Sequence, residues 1–366
     1  MLRAVTDATP RRPVNKANAI TIARIVLMPL PGWMLYTEGG HGHLLATIGV
    51  LLVLGLTDWL DGIIARREGP TVLGGLLDPI ADKIFIAVIY LPLTERGLIP
   101  LWMTAVIFSR DFLVTALRTS LSLRGAPMRT STLAKFKTAI QMVGIGYVAL
   151  YAGAPHAWFT LPLIALPIVF PLGLVLYRLA SGKAQGKRSL WMLGLFVAAV
   201  AGYLVFGPAI AGTATLWLIT GMTVVSGFSY LVDAWAALRG KAGSVRELMR
   251  FGLDGLLVPV VLMLLLGRCD VPGASTAVIL AVVLELASGG LGNFLASQKV
   301  APRFRWIALK SSLQVGLGAL AIAIHFRAGE SWQPVGGVAV FAVLGVTVVF
   351  AALAFWRHRQ RYLSQF

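Results

Sequence analysis

Four aspartates lie close together in the first quarter of the chain, at spacings that suit one task. The segment Thr57-Asp58-Trp59-Leu60-Asp61-Gly62-Ile63-Ile64-Ala65-Arg66 is followed, seven residues later, by Gly74-Gly75-Leu76-Leu77-Asp78-Pro79-Ile80-Ala81-Asp82-Lys83. An α-helix turns about 100° per residue, which puts Asp58 and Asp61 about 60° apart and Asp78 and Asp82 about 40° apart. Each pair therefore presents two carboxylates on one helix face. The short connection makes the two helices antiparallel neighbours, so the pairs can confront each other. Four like charges in a partly dry setting need cations between them or protons on them. Oxygen-only donors favour Mg2+, Mn2+ or Ca2+ over zinc or copper. Gly62 and Ala65 lie on or near the acidic face, where small residues let a phosphate or nucleotide approach the backbone. Ordinary helix-end ion pairs of Asp58 and Asp61 with Arg66 and Lys83 would explain one pair. They leave the four-aspartate set with its intervening glycines unexplained.

The elements that must position these carboxylates are apolar. Of 366 residues, 57% are hydrophobic and 13% charged, about half the charge of a soluble globular chain. That excludes disorder and a water-soluble domain of this length. A membrane-spanning helix needs about 20 mostly apolar residues. Twelve segments qualify: 19–36, 44–66, 76–93, 99–121, 133–152, 157–179, 189–207, 213–238, 251–268, 274–295, 305–326 and 334–356. The expected fold is an all-α polytopic membrane helix bundle of about 12 spans. Lys and Arg number 32 against 15 Asp and Glu, a net charge of +17. The expected outer loops carry only Arg96, Arg268 and Arg327, so the basic excess places both termini in the cytoplasm. There it faces anionic headgroups, and no soluble basic domain is left to bind nucleic acid. The lone Cys269 excludes an intrachain disulfide and a cysteine metal cluster. The first 17 residues are polar and lack the apolar core of a cleavable signal peptide.

Two blocks follow from this division. Residues 1–240 hold eight spans and nearly all the intramembrane charge; residues 241–366 hold four spans behind Arg239, Lys241, Arg246 and Arg250. In the second block Glu285 stands out as the acid deep in a span, expected to make a protonated or hydrogen-bonded helix contact. Ser288-Gly289-Gly290-Leu291-Gly292 follows it and suits close helix packing.

The pattern Asp58-x2-Asp61-Gly62-x2-Ala65-Arg66, then Gly74-x3-Asp78-x3-Asp82, resembles the signature of the CDP-alcohol phosphatidyltransferases. The seven residues between Arg66 and Gly74 are fewer than the eight or nine usual in that family. Three further segments resemble its phosphatidylglycerophosphate synthase branch: Asn15-x2-Asn18-x2-Thr21-x2-Arg24, Ser109-Arg110-Asp111-Phe112 with Arg118, and residues 125–141 with Lys135, Lys137, Thr138 and Gln141. Residues 222–231 are similar to the last helix of that branch. The family core has six spans, so 157–179 and 189–207 read as two inserted helices. Lys135 and Lys137 point about 200° apart on a helix, so one faces the site, and Lys135 is the choice.

The resemblance implies transfer of a phosphatidyl group from CDP-diacylglycerol to an alcohol, with CMP released in a bacterial inner membrane whose cytoplasmic side bears the active site. Asp58, Asp61, Asp78 and Asp82 would bind Mg2+ or Mn2+, Asp82 serving also as general base. Asn18, Thr21, Arg24, Asp58, Asp61, Gly62, Ala65, Arg66 and Gly74 would hold CDP. Arg110, Arg118 and Lys135 form a positive patch suited to an acceptor that carries phosphate, glycerol 3-phosphate fitting best. Inositol phosphate, serine and phosphatidylglycerol are the other acceptors of the same chemistry, and a homodimer is compatible with it. The competing classes are a cation-coupled twelve-span transporter, whose site would lie near the midplane, and a silent membrane scaffold.

Overall fold

The computed structural model describes residues 16–37, 41–69, 71–125, 132–153, 157–182, 184, 186–238, 245–266, 272–300, 304–327 and 333–363. Every element among them is helical. In chain order these are α1 (Lys16–Leu27), α2 (Pro29–Tyr36), α3 (His41–Glu68), α4 (Val72–Glu95), α5 (Leu101–Leu123), α6 (Thr132–Gly153) and α7 (Ala157–Ala180). They continue with α8 (Lys187–Leu238), α9 (Val245–Gly252), a π-helical turn (Leu253–Leu257), α10 (Val258–Leu266), α11 (Ala274–Ser297), α12 (Phe304–Arg327) and α13 (Gln333–Leu363). Among the described residues, eight segments are long and apolar enough to cross a membrane. One of these, Ser189–Ala234, has 46 residues, roughly 70 Å at 1.5 Å per residue and more than twice the hydrocarbon core. It is broken at Gly207, whose φ of 78° and ψ of 173° no helix contains, with Pro208 next. The sequence put a gap at 208–212 between two spans; the structure makes the break in one residue. Many apolar side chains face outward, among them Val26, Phe170, Phe206 and Phe228. Such a surface is soluble only in lipid, and the protein is an integral membrane protein.

Local chemistry explains where the carboxylate helices start and stop. Pro29 and Pro31 lack amide protons, so the first span divides into α1 and α2 at Met28. Helix α3 runs through Glu68, beyond the expected 66, and Gly69 leaves it at φ 92°. Thr71 then caps α4: its hydroxyl accepts the Gly74 amide at 2.9 Å. α4 therefore opens at Val72, four residues before the apolar run that starts at Leu76. The acidic stretch with Asp78 and Asp82 is inside the helix, about two and three turns from its side-chain cap. Helix continuity also takes up most of the shortened connection between Arg66 and Gly74.

The core is continuous from the first block to the second. Ile86, Tyr90, Ile107 and Phe108 share one buried apolar cluster with Val258, Leu262, Val282 and Leu286. Helix α11 lies against both α4 and α5. Its glycines permit the approach: a Cβ on Gly289 would stand 2.9 Å from Thr115 Cγ2, and one on Gly290 would run into Ile80. The second half of α8 packs on α5 and α6, with Ile219 against Gly144 and Trp217 against Trp102. Its first half packs near Tyr151, where Tyr203 stacks at 5.3 Å.

Candidate active site

The four aspartates converge at the meeting of α1, α3 and α4, and α1 supplies what lies between them. Thr21 and Arg24, three residues apart, point to one side of α1, and both are buried. The Thr21 hydroxyl sits 3.0 Å from Asp61 Oδ2 and 3.4 Å from Asp78 Oδ1, so one side chain joins a carboxylate from each helix. The Arg24 guanidinium pairs with Asp58 and lies 4.0 Å from Asp82 Oδ1. Asp61 is buried, whereas the side chains of Asp58 and Asp82 are 46% and 40% exposed, which gives the cluster an inner wall and an open mouth. Asp58 thus takes an ion pair from α1. Lys83, the other partner considered from sequence, donates to Thr115 instead.

Asn18 joins the same group one turn earlier. Its Oδ1 accepts the Thr71 hydroxyl at 2.9 Å, so the residue that caps α4 also ties it to α1. A Cβ at Gly74 would come within 3.0 Å of both Asn18 Oδ1 and Thr71 Oγ1, which explains glycine at that position. Gly62 and Ala65 lie half-buried on α3. The side chains of Arg66 and Lys135, and all of Asn15, lie outside the described residues.

A second group of charges adjoins the first on α4, beginning at Lys83. Lys83 is within electrostatic reach of Asp111, Arg110, Arg118 and Lys137. Asp111 is buried; it accepts from Arg110 Nη1 at 2.8 Å and from Lys137 Nζ at 3.1 Å. Arg110 also donates to Ser226 at 3.0 Å and lies over the Tyr230 ring at 5.2 Å. Gly227 makes room for it, since a Cβ there would meet Arg110 Cγ at 2.9 Å. Sequence reasoning chose Lys135 over Lys137; Lys137 reaches Asp111, and the Lys135 side chain is outside the described residues. That reasoning also missed Thr71, Ser226 and Gly227 as supports. The signal for Thr71 was a threonine three residues before a glycine at the head of an apolar run.

Charge arithmetic separates the two groups. Four aspartates against Arg24 give 4 − 1, a net −3; Lys83, Arg110, Arg118 and Lys137 against Asp111 give 4 − 1, a net +3. The acidic group consists of oxygen donors in excess of its own cation, which is the donor chemistry of a hard divalent ion. Among the described residues no three acidic, histidine or cysteine side chains are already grouped as ligands of one ion; Thr21 and Arg24 space the pairs instead. The donor set fits such an ion by its charge and atom type.

Comparison with known proteins bears on the same region. Residues 14–175 match the family profile of CDP-alcohol phosphatidyltransferase, a span that takes in most of α7, one of the two helices set aside as inserted. A CDP-diacylglycerol–glycerol-3-phosphate 3-phosphatidyltransferase of Bacillus subtilis is 34% identical over 149 residues, 37% of this chain and 77% of that protein. A probable phosphatidylglycerophosphate synthase of Mycobacterium tuberculosis is 36% identical over 148 residues, 39% of this chain and 70% of its own. In Pseudomonas fluorescens, another CDP-diacylglycerol–glycerol-3-phosphate 3-phosphatidyltransferase is 36% identical over 186 residues, 49% of this chain and 91% of that one. No solved structure matches the chain. A family profile that covers the helices where the aspartates meet, and relatives matched over most of their own lengths, make this chain a member of the CDP-alcohol phosphatidyltransferase family.

Proposed function

We propose that the protein transfers the phosphatidyl group of CDP-diacylglycerol to glycerol 3-phosphate and releases CMP. The observation that carries this reading is the adjacency of a net −3 group and a net +3 group, which meet at Asp82 and Lys83. A reaction between a nucleotide-activated lipid and a phosphorylated alcohol needs both. The relatives bearing the glycerol-3-phosphate name support the acceptor. Asn18, Thr21, Arg24, Gly62, Ala65, Arg66 and Gly74 hold the CDP part beside Asp58 and Asp61. Arg110, Arg118 and Lys135 receive the acceptor phosphate, with Asp111 and Ser226 fixing how Arg110 points.

The chemistry is an in-line displacement at the phosphorus bearing the diacylglycerol. The acceptor hydroxyl oxygen forms the new P–O bond while its proton passes to an Asp82 carboxylate oxygen. The pyrophosphate P–O bond breaks, and CMP leaves with the electron pair. Asp58, Asp61, Asp78 and Asp82 would hold Mg2+ or Mn2+, which when bound neutralises charge on the pyrophosphate. We place the site on the cytoplasmic face of a bacterial inner membrane, with about 12 spans and both termini inside, on the distribution of basic residues. Purified protein given CDP-diacylglycerol, manganese or magnesium, and a panel of acceptors should release CMP fastest with glycerol 3-phosphate. Preference for an uncharged alcohol would reject the acceptor, and no CMP with any acceptor would reject the reaction.

Two further results are expected. Arg110→Ala should raise KM for glycerol 3-phosphate roughly ten- to a hundredfold, the worth of a charged hydrogen bond of about 1.5–3 kcal/mol, with little change in KM for CDP-diacylglycerol. Equal effects on both substrates would reject the division of roles. We also assign the chemistry to residues 1–240. A chain cut after residue 245 should keep metal-dependent CMP release at lower thermal stability, because the core shared with α10 and α11 is lost. A folded truncation with no transfer activity would move residues 241–366 into the active site.

A further inference from the structure

The second block and α5 together border a cavity of about 750 Å³, between α5, the π-helical turn, α11, α12 and α13. None of the four aspartates lines it. Its floor is a polar network that no apolar packing role requires. Glu285 is buried and accepts from Lys310 Nζ and Gln314 Nε2, each at 2.6 Å. Asp254 accepts from Ser311 and lies 3.9 Å from Arg250. The widened π turn, closed by the Val258 amide on the Leu253 carbonyl, carries Asp254 to this place; such turns occur often at functional sites. Sequence reasoning singled out Glu285 alone. The structure adds Asp254 and gives Glu285 a lysine partner. Ionisable groups inside a span are costly enough to signal function.

The mouth of the cavity says what enters it. Arg250, Lys310, Arg357 and Arg359 line the cavity against Asp254 and Glu285, giving 4 − 2, a net +2, and with Arg250 and Lys310 paired on the floor the excess is Arg357 and Arg359. Trp306 and Trp356 also line it and are 46% and 65% exposed; exposed tryptophans mark headgroup depth in a bilayer. Arg359 stacks on Trp356 at 4.0 Å, so the basic rim lies at that depth too. The walls continue into the outward-facing Leu353 and Phe355, which a soluble anion has no use for. Gly292 lines the space, and nothing stands within 4 Å of where its Cβ would be. We infer that this cavity is a second lipid site, in which the basic rim binds the phosphate headgroup of an anionic phospholipid and the apolar walls take its acyl chains.

The test is lipid binding by the full chain. Wild type in phosphatidylcholine nanodiscs doped with phosphatidylglycerol, examined by native mass spectrometry, should retain phosphatidylglycerol in preference to phosphatidylcholine. Gly292→Leu fills the cavity without touching a hydrogen bond, and Arg357→Gln with Arg359→Gln removes rim charge from the end of α13. Each should weaken retention roughly ten- to a hundredfold at unchanged thermal stability. Asp78→Asn should retain the lipid as wild type does, which keeps this test separate from the proposed transfer reaction. Equal retention of the two lipids by wild type would overturn the inference. So would full retention by the rim variant, or loss in Asp78→Asn with retention in Gly292→Leu, which would put the lipid in the aspartate site. If Gly292→Leu does not fold, the rim variant decides alone.

Discussion

Asp78→Asn should end CMP release while leaving the protein folded in its membrane. Asp78 and Asp61 share the Thr21 hydroxyl, so an amide at 78 keeps a polar partner for Thr21 and removes one charge from the set that would hold a divalent ion. Fold is preserved because the neighbouring Ile80 and Ala81, not Asp78, make the buried contacts of this part of α4. Asp82→Asn should behave differently in detail. Loss of a positioned base lowers turnover about 10²–10⁴-fold, and KM for CDP-diacylglycerol should stay near its wild-type value. Undiminished CMP release from Asp78→Asn would sink the assignment of the aspartates. A large rise in KM with unchanged turnover in Asp82→Asn would make Asp82 a binding group only.

The largest loss of stability should come from Asp111→Ala. Asp111 is the buried counter-ion of Arg110 and Lys137, and its removal leaves two cations in a dry interior. Breaking a buried pair in this way costs about 3–5 kcal/mol, which thermal unfolding in detergent would register as a clear drop in Tm. Removing one stranded cation should return part of the loss, so Asp111→Ala with Lys137→Met should melt above Asp111→Ala alone. A single variant that melts with wild type would mean that Asp111 does not hold the cationic group together.

How much of this could be read from sequence depended on how far apart the cooperating residues lie. The facing of Asp58 with Asp61 and of Asp78 with Asp82 followed from helical repeat alone, and the aspartates do gather at one end of α3 and α4, but α1 packs against each of these helices and holds the place where direct pairing of the two was expected. Long apolar runs likewise revealed the helices, with errors of a few residues at ends fixed by Thr71 or Gly69. Contacts between distant helices left no such trace. Nothing in periodicity pairs Glu285 with Lys310, or Arg110 with Ser226 across 116 residues. A charge count could have found the first pair, since a glutamate deep in a span calls for a cation and Lys310 lies one span away. Arg24 belongs to the same lesson: sequence assigned it to CDP, and its pairing with Asp58, a carboxylate 34 residues away, came only with the structure.

The glycine face of α11 has a consequence for how the protein is made. Synthesis delivers α3, α4 and α5 to the membrane first, and α3 and α4 carry every aspartate of the site. The surfaces around Ile80 and Thr115 find their partners only when Gly289 and Gly290 arrive, some 170 residues of translation after Thr115. Until then two charged helices stand with an uncovered flank, in a bilayer where small-residue contacts and hydrogen bonds, not hydrophobicity, drive helices together. The Thr119–Asn293 hydrogen bond is part of what they wait for. A ribosome that stalls before α11 would leave a nascent chain with its acidic residues inserted and that flank bare, an assembly intermediate open to membrane chaperones and proteases.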